Sequence, residues 1–134
     1  MKTIYYTASS LDGFIADQNN SLDWLFQFGD PPEDQYPQFL NEVGCIAMGS
    51  TTYKWLLDNH INKDPQSPQK WMYEQPAWVF STRQLPEVEN ADIRFVSGDV
   101  RTVHREMSEL ANGKNIWLVG GGDLVGQFYD NQLL

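Results

Sequence analysis

Two short runs in this sequence place glycine between an apolar segment and the start of a helix. They are Met48-Gly49-Ser50-Thr51-Thr52 and Val119-Gly120-Gly121-Gly122-Asp123. A helix start carries unpaired backbone N–H groups and the positive end of the helix dipole, so it attracts anions. Glycine there lets a phosphate approach the backbone closely. Gly49 taken alone serves equally well as a tight strand-to-helix turn. Three glycines in succession ask for more, since each loses backbone entropy on folding that a simple turn does not require. Neither run is a G-x-G-x-x-G fingerprint, and no lysine follows as in a P-loop.

Other reactive residue types carry less. His60 stands in a polar stretch and His104 on the polar side of a helical pattern, and both are expected at the surface. Neither has a second histidine or a cysteine at metal-ligand spacing, so no metal site is expected. Cys45 lies inside an apolar run, the setting of a core thiol rather than a nucleophile. Ser9 and Ser10 have no histidine partner, so a hydrolase triad has no support. Trp55, Trp71, Trp78 and Trp117 are expected in the core or at its rim.

The elements that must position these residues alternate between strand and helix. Thr3–Ala8 (TIYYTA) has strand composition, followed by a long polar loop over 9–21 that Phe14-Ile15-Ala16 interrupts. Residues 33–43 place Tyr36, Phe39, Leu40 and Val43 at helical spacing, with Pro37 acceptable only in the first turn. Cys45 to Met48 reads as a buried strand, Thr51 to Leu57 as a short helix, and 58–73 as a polar loop. Ala77 to Phe80 and Ile93 to Val96 read as strands. Asp99 caps a helix with Val100, Val103, Met107 and Leu110 on one face, ended by Asn112-Gly113. Ile116 to Val119 is a last strand before the triple glycine and a helix through Phe128. This alternation predicts an α/β sheet with parallel neighbours.

The 134 residues have the size of one domain and carry 9 basic against 18 acidic side chains, a net charge of −9. Such a surface repels phosphate backbones and anionic lipid, so neither nucleic acid nor a membrane is expected as partner. No apolar run approaches the roughly 20 residues of a spanning helix, and the N-terminus reads directly as a strand rather than a signal peptide. A single cysteine excludes an internal disulfide and makes a cytoplasmic setting the default.

Four blocks occur in order at suitable spacing: Thr7-Ala8-Ser9-Ser10-Leu11-Asp12-Gly13-Phe14-Ile15-Ala16, Met48 to Tyr53, Phe80-Ser81-Thr82-Arg83 and Val119 to Gly122. Together they make the chain resemble the dihydrofolate reductase superfamily over essentially its whole length. It looks closest to the reductase domain of the riboflavin-biosynthesis deaminase-reductase and its stand-alone bacterial relatives. The resemblance implies a three-layer α/β sandwich with a mostly parallel central sheet. It implies NADPH as cofactor and hydride transfer to a small pyrimidine- or pteridine-related substrate, as in a 5-amino-6-(5-phosphoribosylamino)uracil reductase.

Residue by residue, the resemblance implies that Gly49, Ser50, Thr51 and Thr52 meet the cofactor's phosphates and ribose. Gly120, Gly121 and Gly122, with Asp123 and Leu124 after them, cradle the pyrophosphate. Ser81, Thr82 and Arg83 face the 2′-phosphate, and Ala8 lies by the nicotinamide. Ser50 stands where many such reductases carry arginine, so one 2′-phosphate contact is missing. The segment from Asp12 to Trp24 becomes a lid, with Trp24 approaching the substrate. Glu33 and Asp34 lie near the point where a substrate-binding acid is expected, Asp34 also as a catalytic group; their bland reading is negative charge at a helix start. Asp12 is an alternative catalytic or substrate contact, and otherwise a turn residue before Gly13. Relatives continue into further strands beside the first one, so the chain is expected to lack its C-terminal strands and to form a homodimer covering the edge of Thr3–Ala8. The competing expectation is a nucleotide-binding or oligomeric module without turnover.

Overall fold

From its N-terminus the chain, described over residues 1–134 by a computed structural model, runs through β1 (Thr3–Tyr5), α1 (Asp23–Phe26), α2 (Gln35–Asn41), β2 (Val43–Gly49) and α3 (Ser50–Leu56). A π-helical turn at Leu57–Ile61 extends α3, and then come β3 (Ala77–Phe80), β4 (Ile93–Val96), α4 (Val100–Ala111), β5 (Asn115–Gly120) and α5 (Gly122–Asp130). The five strands form one sheet in the order β1-β5-β2-β3-β4, parallel throughout. The expectation of a mostly parallel sheet is met in full.

Strand residues alternate between faces, and both faces are covered. Cys45, Ala47, Trp78, Ile116 and Leu118 pack against Val103 and Met107 of α4 and Leu124, Val125 and Phe128 of α5. Ile46, Met48, Val79 and Trp117 face the other way, against Tyr53 and Leu56 of α3 and the half-buried Tyr36, Phe39 and Leu40 of α2. The result is three layers, as the continuous apolar runs of the strands require. This is the dihydrofolate reductase-like fold. No helix is long and apolar enough to cross a membrane.

Several local expectations are corrected. Strand β1 ends at Tyr5 instead of Ala8, because only Thr3, Ile4 and Tyr5 find register partners on β5. Helix α2 is shorter than 33–43, and Val43 is the buried first residue of β2. Pro37 sits in the first turn of α2, as its missing N–H demands. Helix α1, inside the loop before α2, has no sequence signal beyond Trp24 and Leu25, and the π-helical turn occupies the start of what reads as a polar loop. Leu110 is 42% exposed, and Ala111 takes the core position instead. Asp99 does cap α4, its carboxylate accepting from the Arg101 N–H at 2.9 Å. Arg101 also pairs with it side chain to side chain, which holds the Asp99 carboxyl down at about 2.

His104 is not a surface residue. It is half-buried, its Nε2 lies 2.9 Å from Thr3 Oγ1, and its ring meets Phe128 edge to face. Burial lowers its pKa below the usual histidine value. The unfolded chain therefore binds this proton more readily than the folded one, so the site's contribution to stability is complete above about pH 6.5 and is lost as pH falls below it. Thermal unfolding between pH 7.5 and 5.5 should show Tm falling in the native chain and a flatter profile in His104→Gln. Equal slopes would refute the assignment.

Candidate active site

Strands β2 and β5 are neighbours in the sheet, yet the helices that follow them lie on opposite faces. A crevice opens at such a switch point, beyond the carboxyl ends of the strands. Register brings the glycine turns together there, since Met48 pairs with Gly120 and Gly49 with Phe80. A Cβ on Gly49 would lie 3.7 Å from Gly121 N, so the two turns touch backbone to backbone. Gly120 has φ +150 and the peptide between it and Gly121 is cis. Helices α3 and α5 start from Gly49 and Gly121 with no side-chain cap, leaving their first N–H groups to the crevice.

The crevice is a cavity of about 720 Å³. The sheet ends give Phe80 and Val119, and the segment just after β1 gives Ala8; the glycine turns give Gly49, Gly121 and Gly122; and the helix starts give Ser50, Thr51, Thr52, Asp123 and Leu124. Ile15, Ala16, Asn20, Leu22 and Leu25 form the opposite wall, so the segment between β1 and α2 overhangs the opening. Asp17 builds the bend of that wall by accepting from the Asn19 and Ser21 N–H groups, which leaves Asn20 in the left-handed region at φ +56. Asp123 is the sole ionisable side chain lining this cavity.

A second cavity of about 560 Å³ adjoins the first, sharing Asn20, Leu22, Thr51 and Trp55 with it. Its wall is polar and includes Ser21, Asp23, Lys54, Asp58, Asn59 and Arg83. Arg83 is held in place by a local turn after β3, where the Ser81 hydroxyl accepts from the Arg83 N–H at 3.0 Å and donates to its carbonyl at 3.1 Å.

The residues singled out in the sequence divide accordingly. Ala8, Gly49, Ser50, Thr51, Thr52, Gly121, Gly122, Asp123 and Leu124 meet around one cavity, while Gly120 is buried behind it and Arg83 lines the adjoining one. Ser81 and Thr82 line neither. Asp12, Trp24, Glu33 and Asp34 also lie outside both linings. Asp12 accepts from the Ser10 hydroxyl within its own turn, and Asp34 precedes the first residue of α2, exposed, with no side-chain cap bond to the helix. Lys54, Asn20 and Gln127 line the cavities without having been singled out, and Trp55, expected in the core or at its rim, lines both. Lys54 and Gln127 follow Thr51 and Asp123 by three and four residues, a helical spacing that puts each on the face of its predecessor. Cys45 is fully buried and its thiol is pushed up to about 12 by burial, so it is a packing residue.

No family model matches the chain. Two proteins of Bacillus subtilis (strain 168) are similar to it. The uncharacterized protein YwjB is 30% identical over 128 residues, covering 95% of this chain and 68% of YwjB. The uncharacterized protein YyaP is 31% identical over 128 residues, covering 90% of this chain and 63% of YyaP. Among solved structures, that of a "Putative riboflavin biosynthesis protein" from Shewanella sp. PV-4 superposes with a TM-score of 0.73 at 26% identity, covering all of this chain and 72% of the other. The chain belongs to the family of YwjB, with a dihydrofolate reductase-like fold.

Proposed function

We propose that the chain is an NADPH-dependent reductase acting on a small pyrimidine- or pteridine-related substrate, of the riboflavin-biosynthetic type. The observation that carries this reading is the crevice between β2 and β5, where two uncapped helix starts meet across glycine turns beside a polar annex holding Lys54 and Arg83. The likeness to the Shewanella protein supports the riboflavin side of the reading.

The residues present fit a dinucleotide. No atom stands within 4 Å of where a Cβ on Gly121 or Gly122 would sit, so that turn is an open backbone cradle. Gly121 and Gly122 would hold the pyrophosphate, the hydroxyls of Ser50, Thr51 and Thr52 the neighbouring ribose and phosphate oxygens, and Arg83 the 2′-phosphate. Ala8, three residues beyond the end of β1, would flank the nicotinamide. When bound, the nicotinamide supplies the hydride; the chain supplies orientation and exclusion of water. The apolar wall of Ile15, Ala16, Leu22 and Leu25 does the excluding. Asp123, the one ionisable side chain lining the cavity, belongs to the pyrophosphate turn, so the proton that completes the reduction comes from water.

Titration of the chain with NADPH and with NADH, followed by tryptophan fluorescence, tests the reading. Saturable NADPH binding weakened about tenfold by Arg83→Ala is the expected result, the loss of one charge-assisted contact. Absence of binding by either nucleotide would overturn it. Nucleotide binding without turnover is the second reading, favoured by the position of Asp12 and Asp34 outside the cavity linings. Oxidation of NADPH across a panel of pyrimidines and pterins separates the two. The unpaired edge of β1 supports a homodimer formed on it; a monodisperse monomer in sedimentation at micromolar concentration would refute that.

A further inference from the structure

Four residues border both the crevice and the polar annex: Asn20, Leu22, Thr51 and Trp55. They form the neck between the two cavities, and none of them is charged. Trp55 is half-buried, seated on the core cluster beneath α3. Of the five tryptophans it alone lines either cavity. Trp78 and Trp117 belong to the core clusters, Trp71 packs against one of them, and Trp24 lies outside both linings. Phe80, the other aromatic ring of the crevice, is engaged edge to face with Phe128 at 6.1 Å. Trp55 is steadied instead by the His60 ring, 5.5 Å away. The π-helical turn at Leu57–Ile61 brings His60 there, and such single turns are frequent at functional sites. Across the neck, Leu22 precedes α1 and Asn20 stands in the bend built on Asp17. The bonds of that bend come from backbone N–H groups and leave the Asn20 side-chain amide free.

We propose that Trp55 is a specificity-determining residue: its indole is the platform on which the flat ring of the substrate stacks, with Leu22 on the other side of the neck and the Asn20 amide at the ring's edge. This rests on the reductase reading above and names the residues that select the ring. An indole face holds a planar π system by stacking and gains much less from a saturated ring or an open-chain carbonyl. A side-chain amide offers a donor and an acceptor together, the complement of a lactam N–H and C=O. A neck without charge favours a neutral heterocycle, since an ionised one would leave its hydration there for no partner. Ala8 and Trp55 line the same cavity, so the nicotinamide and the stacked ring share one chamber.

The test measures dissociation constants by calorimetry for pterin, 5,6-diaminouracil and NADPH on the native chain, Trp55→Phe, Trp55→Leu and Asn20→Gly, with circular dichroism to confirm folding. Trp55→Leu should weaken both heterocycles about tenfold, the loss of one ring-on-ring stack, and Trp55→Phe about threefold, with NADPH within about twofold in each. Asn20→Gly touches no core cluster, and glycine accepts its φ of +56. It should weaken the heterocycles about threefold, the loss of an exposed hydrogen-bonding edge. Pterin should quench the native tryptophan emission, and Trp55→Phe should lose that quenching, which a purely structural role of Trp55 would not produce. Unchanged heterocycle affinity in Trp55→Leu, quenching retained in Trp55→Phe, or a loss confined to NADPH would overturn the platform while leaving the reductase reading intact. So would a native chain that binds NADPH and neither heterocycle. A native chain that binds no nucleotide would overturn the reductase reading and the platform with it.

Discussion

Gly44→Ala is expected to cost about 3 kcal/mol of stability, the upper end of what overpacking does. Gly44 lies in β2 opposite the end of α4, where an added Cβ would stand 2.6 Å from the Ala111 carbonyl oxygen and 2.8 Å from the Ala111 Cα. Both are backbone atoms and cannot rotate away. Ala111 is itself buried, and the chain beyond it turns at once through Asn112 and Gly113 in the left-handed region, at φ +50 and +85. Relief therefore requires α4 to move off the sheet, opening the contacts of Met107 and Val103 as it does so. Thermal unfolding should show Tm lowered by roughly 10 °C for a domain of this size. A change below about 1 kcal/mol in denaturant titration would mean that α4 yields more easily than close-packed interiors usually do.

Gly122→Asp should leave the fold intact and abolish most nucleotide binding. No atom lies within 4 Å of the added Cβ, and a carboxylate in the first turn of α5 favours the helix dipole. The same carboxylate enters the cavity next to Asp123, where the proposed pyrophosphate would sit. A repulsion of about 3 kcal/mol follows for unit charges 5 Å apart at an effective dielectric constant of 20. That weakens NADPH at least about a hundredfold. Gly122→Ala, which adds bulk without charge, should fall between this variant and the native chain. Fluorescence titration reads the affinities and thermal unfolding the stability. Retained affinity in Gly122→Asp would remove the glycine cradle from the nucleotide site.

Much of the fold was legible because its signals are local. The unbroken run Cys45-Ile46-Ala47-Met48 ended by glycine specifies a strand buried on both faces, and Asp99 announces α4 by a carboxylate before a periodic apolar face. The glycine turns were legible for the same reason. His104 was not, since the groups that bury it, Thr3 and Phe128, are brought to it by the packing of β1 and α5. Lys54 has the sequence context of an ordinary solvated helix residue, and only the approach of Arg83 and the bend at Asn20 makes its surroundings a cavity. The place of the carboxylates outside the cavity linings was illegible for a related reason. Whether Asp12 or Asp34 faces the crevice depends on the path of the loop before α2, which turn chemistry shapes locally but does not aim.

The strand order also dictates when the sheet can assemble during synthesis. Strand β1 is made first, yet its partner in the sheet is β5, which also occupies the flank of β2. The ribosome must therefore release residues 115–120 before either flank can close. At about 5–20 residues per second, β1 waits on the order of ten seconds with both its hydrogen-bonding edges open. Strands β2, β3 and β4 pair in sequence order and can form a partial sheet in that interval. Nascent chains arrested before Asn115 should thus hold β2–β4 against α3 while β1 remains free to engage a chaperone or a neighbouring chain.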